Sequence, residues 1–465
     1  MLERLWAPRA WLPGGWRERV LLEIQPGSRG GRWAAITPNV DAPPGAEVAA
    51  GPLLPGFVDA HGHAFQRAFA GLAERRERAD DDFWSWRERM YGVALRITPA
   101  QLQAVAAQLF IELLRGGYTQ ACEFHYLQHD VDGRPYADPL ALSWALADAA
   151  AEAGIGLTLL PVLYERAGFK QPALRQEQRR FRLDARGVWE AMRRIEAARR
   201  PLLGAGLAIH SLRAAAPASI LELRDLSEDF EGPIHIHVAE QPAEVKDCLA
   251  ATGERPLEWL YGQGLLDPRW QLVHATHATP KEIAAVDASG AGVVICPTTE
   301  ANLGDGLPAL DAWLAAGVGV AVGSDSQVSR DAVEELRWLE YGQRLRLQRR
   351  NVAAAPGLRE PSTAARLVDA VTAGGAAAAG EPAWGLAVGA RADALVADMD
   401  ADGLLGGPPE QLLDALLFAG PTRPWRDVLV AGGWAIRNGR HAQGAAVARR
   451  FRDAMDALWA SAPSG

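Results

Sequence analysis

His61 and His63 stand one residue apart at the end of an apolar run, PGFVDAHGH. On a strand, side chains at i and i+2 point to the same side, so both imidazoles can face one ion. Gly62 leaves space between them. Taken alone, such a pair divides about evenly between metal ligation and hydrogen-bonded surface histidines. His237, in HIHVAEQ, and Asp325, in GVAVGSDS, tip that balance. Three imidazoles and a carboxylate suit Zn²⁺, with Fe²⁺ the second choice, and do not suit calcium or magnesium. Asp325 has a rival reading as a helix N-cap or Asx turn. Glu240, three residues past His237, and His274, ending WQLVH, offer the carboxylate and imidazole that proton transfer beside an activated water requires. The competing role for Glu240 is a first-turn acid favoured by the helix dipole. His235 reads as structural and His277 as a turn residue. Glu300 and Asn302, in TTEANLG, stay open between supporting and loop roles, and so does Gln327.

These residues need a scaffold that brings distant segments to one face. Eight apolar runs alternate with helical patterns: LLPGFVDAHGHA, YTQACEFHY, IGLTLLPVLY, AGLAIHSLR, PIHIHVAE, WQLVHATHA, GVVICPTTEANLG and GVAVGSDSQV. Continuous apolar strands between helices mark a parallel sheet buried on both faces. Eight of them predict a (β/α)₈ TIM barrel, whose catalytic face gathers the C-terminal strand ends. Nearly every run ends in a reactive side chain, and of the ten histidines only His441 lies away from such an end. Residues 1–52 and 384–445 read instead as short strands broken by glycine and proline. They predict a small β-sandwich assembled from both termini, around a barrel at 53–383, with a terminal helix over 446–465.

Composition excludes other classes. The 465 residues are 49% hydrophobic and 23% charged, which is globular throughout, and the net charge of −9 comes without any basic run. Nucleic acid is therefore a poor partner. No apolar stretch approaches the ~18 residues of a membrane span, and the opening MLERLWAPRAWLPGGW lacks a signal-peptide core. Cys122, Cys248 and Cys296 lie far apart, as buried apolar residues of a cytoplasmic protein would.

PGFVDAHGHAFQRAFAGL, HVAEQ, LVHATH and GSDS together resemble the amidohydrolase superfamily in its mononuclear deaminase branch. More narrowly, HAFQRAFAGLAE, DDFWSWRERMY, FHYLQHDVDGRPYADP, HSLRA, PTTEANLGDG and VEELRWLEYGQRLR resemble the formimidoylglutamate deiminases of histidine degradation, over about residues 53–351. That resemblance implies hydrolysis of N-formimidoyl-L-glutamate to N-formyl-L-glutamate and ammonia. It implies one metal, held by His61, His63, His237 and Asp325, with Glu240, His274 and Asp325 catalytic. It further implies that Gln66, Arg87, Tyr126, His210 and Arg213 hold a small dicarboxylate substrate. The fourth strand offers no lysine to bridge a second metal. Members of that family often carry Ser at position 62 and His at 327, where this chain has Gly62 and Gln327. Two alternatives remain: a related enzyme acting on a heterocycle, such as a guanine- or cytosine-type deaminase or an imidazolonepropionase, and a catalytically inert barrel that serves assembly. Phe83, Trp84 and Trp86 around Arg87 have the composition of an interface anchor, which predicts a homodimer.

Overall fold

The computed structural model describes residues 2–74, 83–421 and 423–460, with 83–85 and 88 as backbone only. Eight strands follow in parallel order: β1 (Phe57–Gly62), β2 (Tyr118–His125), β3 (Gly156–Leu163), β4 (Leu207–Ile209), β5 (Ile234–Val238), β6 (Trp270–His274), β7 (Gly292–Ile295) and β8 (Val320–Val322). Each pairs with the next, and a short strand, Leu203–Ala205, adds to β3. Every residue of the eight is buried, the pattern of a sheet covered on one face by helices and on the other by its own interior. The (β/α)₈ architecture read from the eight runs is the one observed.

Closure occurs just past β8. The Asp325 amide donates to the His61 carbonyl at 2.9 Å, and the His63 amide donates to the Asp325 carbonyl at 3.1 Å. Outside the seam lies the helix Thr363–Ala379. Its two central glycines allow backbone contact: a Cβ at Gly374 would stand 2.2 Å from the Val320 carbonyl oxygen, and one at Gly375 2.8 Å from Val58 Cβ. Elsewhere local signals start the helices as expected. Thr98 and Gln101 form a reciprocal capping box ahead of Pro99–Arg115, with Pro99 in the first turn, where its missing N–H costs nothing.

Both termini build the second sheet. Arg4–Leu12, Gly15–Gln25 and Arg32–Thr37 join Ala394–Ala397, Trp425–Val430, Gly433–Arg437 and Arg440–His441 through Leu53–Leu54, which pairs with strands from either end. Arg32 bridges to Arg391, and Gly31 donates to the Ala431 carbonyl at 2.9 Å. The sheet thus curls around its own core of Leu5, Val20, Leu22, Trp33, Val396 and Leu429. Leu53 and Leu54, assigned to the barrel by their sequence, belong to this sheet by their hydrogen bonds; Pro55 and Gly56 separate them from β1. A buried Arg391 ties the two layers, pairing with Asp393 at 2.6 Å and donating to Gln120 Oε1 at 2.6 Å and the Thr119 carbonyl at 2.9 Å. A last helix, Gly444–Ala460, follows. Among the described residues no helix is long and apolar enough to cross a membrane, and the three cysteines are free and buried.

The seam generates a prediction of unusual sign. In an open helix, Gly→Ala stabilises by about 0.5–1 kcal/mol. Gly374→Ala should instead destabilise by about 1–3 kcal/mol, because the methyl group meets backbone that cannot retreat. Chemical denaturation of the variant checks this; an unchanged or raised midpoint refutes the contact.

Candidate active site

Three strand ends and the β1–β8 seam converge on one point. His61 and His63 leave β1, His237 lies in β5, and Asp325 follows β8; one ligand atom from each lies within 4.8 Å of the others, and all four residues are buried. Hydrogen bonds behind the rings decide which nitrogen faces inward. His63 Nδ1 lies 2.9 Å from the Phe124 carbonyl and His237 Nδ1 2.9 Å from the His210 carbonyl. A carbonyl only accepts, so each Nδ1 carries the proton and each Nε2 presents a lone pair. His237 Nε2 then stands 3.0 Å from His61 Nε2, while Asp325 Oδ1 lies 3.5 Å from His61 Nε2 and 3.3 Å from His63 Nε2. Burial pulls His61 down to about 3 and His237 well below the ordinary histidine value, so both rings stay neutral. Converging lone pairs on neutral imidazoles, joined by a carboxylate, fit a divalent transition metal. A second trio, His274, Cys296 and Asp325, is also compact. Burial holds the Cys296 thiol well above its usual range, which disfavours the thiolate that a metal needs.

Asp325 caps no helix; that role falls to Asp331. It turns inward because its backbone is left-handed, with φ 44°. Ala239 (φ 51°) and His274 (φ 70°) share that conformation at the ends of β5 and β6. Non-glycine residues adopt it at a cost of about 1–3 kcal/mol each, and such strain collects at functional sites. Below the cluster, Asp59 accepts the Ser324 amide and hydroxyl, both at 2.7 Å, holding β1 to the end of β8. Gln327 occupies the room left by Gly62: its Oε1 lies 3.1 Å from Ser324 Oγ, and its side-chain amide donates to the Asp325 carbonyl at 3.2 Å. A Cβ on residue 62 would stand 2.9 Å from its Nε2. The two departures from the family pattern thus fill one space together.

Beside the cluster lies an acid-rich wall. His274 Nε2 is 3.8 Å from Glu240 Oε1 and 3.7 Å from Asp325 Oδ2, and its Nδ1 is 3.4 Å from Glu300 Oε1. Burial alone would strip charge from this imidazole, but Glu240, Glu300 and Asp325 outweigh it and hold the ring protonated. Burial, reinforced by Asp325 and Glu244, lifts Glu240 above the usual carboxylate range despite His274. Glu244 accepts the Ala239 and Glu240 amides at 3.2 and 3.1 Å, which fixes the strained end of β5. Asp305 joins this wall, accepting from Gln241.

All the candidate residues except His61, which is fully buried, line one cleft of about 540 Å³ including its mouth. Gln66 donates to the Tyr126 hydroxyl at 3.2 Å. His210 abuts Tyr164, ring centroids 4.4 Å apart. Arg213 follows β4, and Arg87 lies over Tyr91 on the helix Phe83–Ala94, 5.7 Å from its ring. Sequence reasoning missed the aromatic and apolar wall of Trp86, Met90, Tyr91, Tyr164, Phe181 and Leu303. It also missed Glu244, Asp305 and Asp59, and left Glu300 undecided. Of the proposed interface aromatics, the side chains of Phe83 and Trp84 lie outside the described residues; Trp86 is half-buried and meets Phe69 of the same chain at 5.6 Å.

Residues 53–435 match the amidohydrolase family. Formimidoylglutamate deiminase of Pseudomonas aeruginosa is 49% identical over 98% of this chain and all of that protein. The crystal structure of an amidohydrolase from Brucella melitensis superposes with a TM-score of 0.91 at 41% identity, covering 98% of this chain and 100% of that one. An adenosine deaminase structure from Xanthomonas campestris with bound zinc shares the fold, with a TM-score of 0.79 at 22% identity over 99% of each chain.

Shared occupancy beside the cluster is open to a double-mutant cycle. Gly62→Ala should cost about 1–3 kcal/mol by overpacking against Gln327. Adding Gln327→Ala should recover part of that loss, so the double variant is more stable than the two single effects sum to. Strict additivity in denaturation midpoints would show that the two positions do not compete for space.

Proposed function

The chain belongs to the amidohydrolase family, and we propose that it hydrolyses N-formimidoyl-L-glutamate to N-formyl-L-glutamate and ammonia, a step of histidine degradation. One observation carries the reading: Arg87 and Arg213 line the same cleft as Glu240, His274 and Asp325. A dianion needs the first pair and a C=N hydrolysis needs the second group. A neutral heterocycle has no use for two arginines, which sets the heterocycle deaminases aside. The 49% identity with the Pseudomonas aeruginosa enzyme over 98% of this chain supports the same substrate.

Hydrolysis adds a water oxygen to the formimidoyl carbon, breaks its bond to the imino nitrogen and delivers two protons to that nitrogen. His61, His63, His237 and Asp325 would hold the metal, which when bound supplies the Lewis acidity that makes water a nucleophile near neutral pH. Asp325, whose carboxylate reaches toward His274, takes a proton from the attacking water. Glu240, lifted into a proton-carrying range by burial, donates to the imino nitrogen. His274 gives its Nε2–H toward the oxygen that gains charge, while Glu300 holds the other ring nitrogen. As the tetrahedral centre collapses, Asp325 returns its proton to the nitrogen, the new hydroxyl gives its proton to Glu240 as the formyl C=O forms, and ammonia leaves. Arg87 and Arg213 bind the carboxylates through charge-assisted hydrogen bonds. Gln66, Tyr126 and His210 line the path between the arginines and the reacting carbon. Gln66 Oε1 is buried without a partner among the described residues, so it is a ready acceptor for a substrate N–H.

We assign zinc as the native metal, one per chain, with Fe²⁺ second, on the donor set alone. We also propose a cytoplasmic enzyme and a homodimer, the latter on the aromatic composition around Arg87. Ammonia release from formimidoylglutamate, formimidoylaspartate, guanine, cytosine and imidazolonepropionate tests the substrate directly; turnover of a heterocycle in preference to formimidoylglutamate overturns the proposal.

Two expected outcomes follow from the site. Metal analysis of active enzyme should find one equivalent per chain, and a requirement for two would refute the single-metal reading. Arg213→Met keeps the stem and deletes the charge, so kcat/KM for formimidoylglutamate should fall at least ~10²-fold. Slow turnover of an uncharged amidine such as formamidine should hardly change. Equal losses on both substrates would mean that Arg213 does not read a carboxylate.

A further inference from the structure

A second cleft, of about 610 Å³ including its mouth, meets the catalytic one at Arg87 and Arg213, which line both. Its remaining charged lining is Lys170, Arg175 and Asp247. Four cations against one acid give a local charge of +3 in a chain whose net charge is −9. Lys170 and Arg175 are exposed and sit on the loop between β3 and the helix Ala185–Ala197.

That loop is built to hold them in place. A tight turn sets Lys170 near its tip: the Ala167 amide donates to the Gln171 carbonyl at 3.1 Å, and the Gln171 amide to the Gly168 carbonyl at 3.0 Å. Arg175 donates through Nε to Gln171 Oε1 at 3.3 Å and through its amide to Gln178 Oε1 at 3.0 Å. Gln178 is buried, and its Nε2 donates to the hydroxyls of Tyr164 at 2.9 Å and Tyr91 at 3.2 Å, both walls of the catalytic cleft. One glutamine therefore ties the cationic loop to the substrate chamber. The charges are also close enough to be felt there. Burial, with Arg213 and Arg175 as like charges, pulls Arg87 below its ordinary value against the Tyr91 phenol.

Resting on the dicarboxylate reading above, we propose that Lys170 and Arg175 form an outer anion subsite, where the substrate's carboxylates dock before they pass to Arg87 and Arg213. A concave surface of one sign concentrates field lines and raises the encounter rate of a small ion, by tenfold or more at low salt. An acidic protein would otherwise repel a dianion. The subsite offsets that repulsion at the one place where entry matters.

The test is the double variant Lys170→Gln/Arg175→Gln, assayed on formimidoylglutamate across a salt series. At low ionic strength kcat/KM should fall about tenfold while kcat changes less than about twofold, and the deficit should shrink as salt screens the charges. The swap Lys170→Arg/Arg175→Lys, which keeps both charges, should restore wild-type behaviour. An unchanged kcat/KM with an unchanged salt slope overturns the proposal, as does an equal loss in kcat. Glutarate affinity, measured calorimetrically, needs no turnover. It should weaken about tenfold in the double variant, and equal affinity refutes the subsite even if the wild type fails to turn over formimidoylglutamate. That failure, with glutarate binding weakened as expected, would instead overturn the assigned reaction and leave the anion subsite standing.

Discussion

Asp325 offers its amide to His61 and its carbonyl to His63, so one residue closes the barrel and turns its carboxylate toward both imidazoles. The arrangement requires a left-handed backbone at Asp325, which an unsupported chain would abandon. Support comes from below, where Asp59 grips Ser324, and from outside, where the glycines of Thr363–Ala379 let a helix press on the seam. Closure and ligand geometry are thus the same constraint. A change that loosens the joint between β1 and β8 also spreads the donor atoms, even where it touches no ligand.

The cleft is polarised by strand position. The acids that line it, Glu240 and Asp325, come from the ends of β5 and β8, whereas the arginines come from the end of β4 and from the helix that follows β1. On the proposed reaction this separation orients the substrate: its carboxylates are drawn to one side and its amidine is left facing Glu240, His274 and Asp325. Reversing the substrate would place carboxylates among carboxylates in a buried site, where like charges repel strongly. Orientation follows from the Coulomb term, and the apolar wall needs only to exclude water between the two ends.

Much of this was legible in the residues. Continuous burial made most barrel strands read as apolar runs, broken by polar residues such as Asp59 in β1 and Gln120 and Glu123 in β2, and on a strand the i, i+2 spacing of His61 and His63 reports their common direction. What stayed hidden has physical causes. Left-handed backbone at Ala239 and His274 leaves no compositional trace when the residue is not glycine. Glu244 reads as an ordinary helix acid until its two amide partners are in view. Glu300 lies in the buried first turn of a short helix, Pro297–Leu303, which has no apolar periodicity to betray its inward face. Leu53 and Leu54 look like a barrel strand because apolar content cannot say which sheet a two-residue strand will join. The aromatic wall is scattered along the chain from Trp86 to Phe181, and only folding assembles it.

The crowding of acids around His274 would be costly were they all ionised. Burial instead raises Glu240, Glu244, Glu300 and Asp305 above the usual carboxylate range. Glu240 can therefore carry a proton close to His274, with Asp325 beside it as the carboxylate that faces the three imidazoles. On the proposed reaction two protons must reach a leaving nitrogen, and this pair suffices: Glu240 gives one and Asp325 relays the other from the attacking water. The arginine end could not serve this purpose, since guanidinium does not give up its proton in the working pH range. The barrel has therefore put its proton-exchanging groups and its fixed charges on different strands. That division follows from chemistry as much as from topology: Arg213 already lowers the affinity of Glu240 for the proton it must carry, and a fixed cation closer still would lower it further.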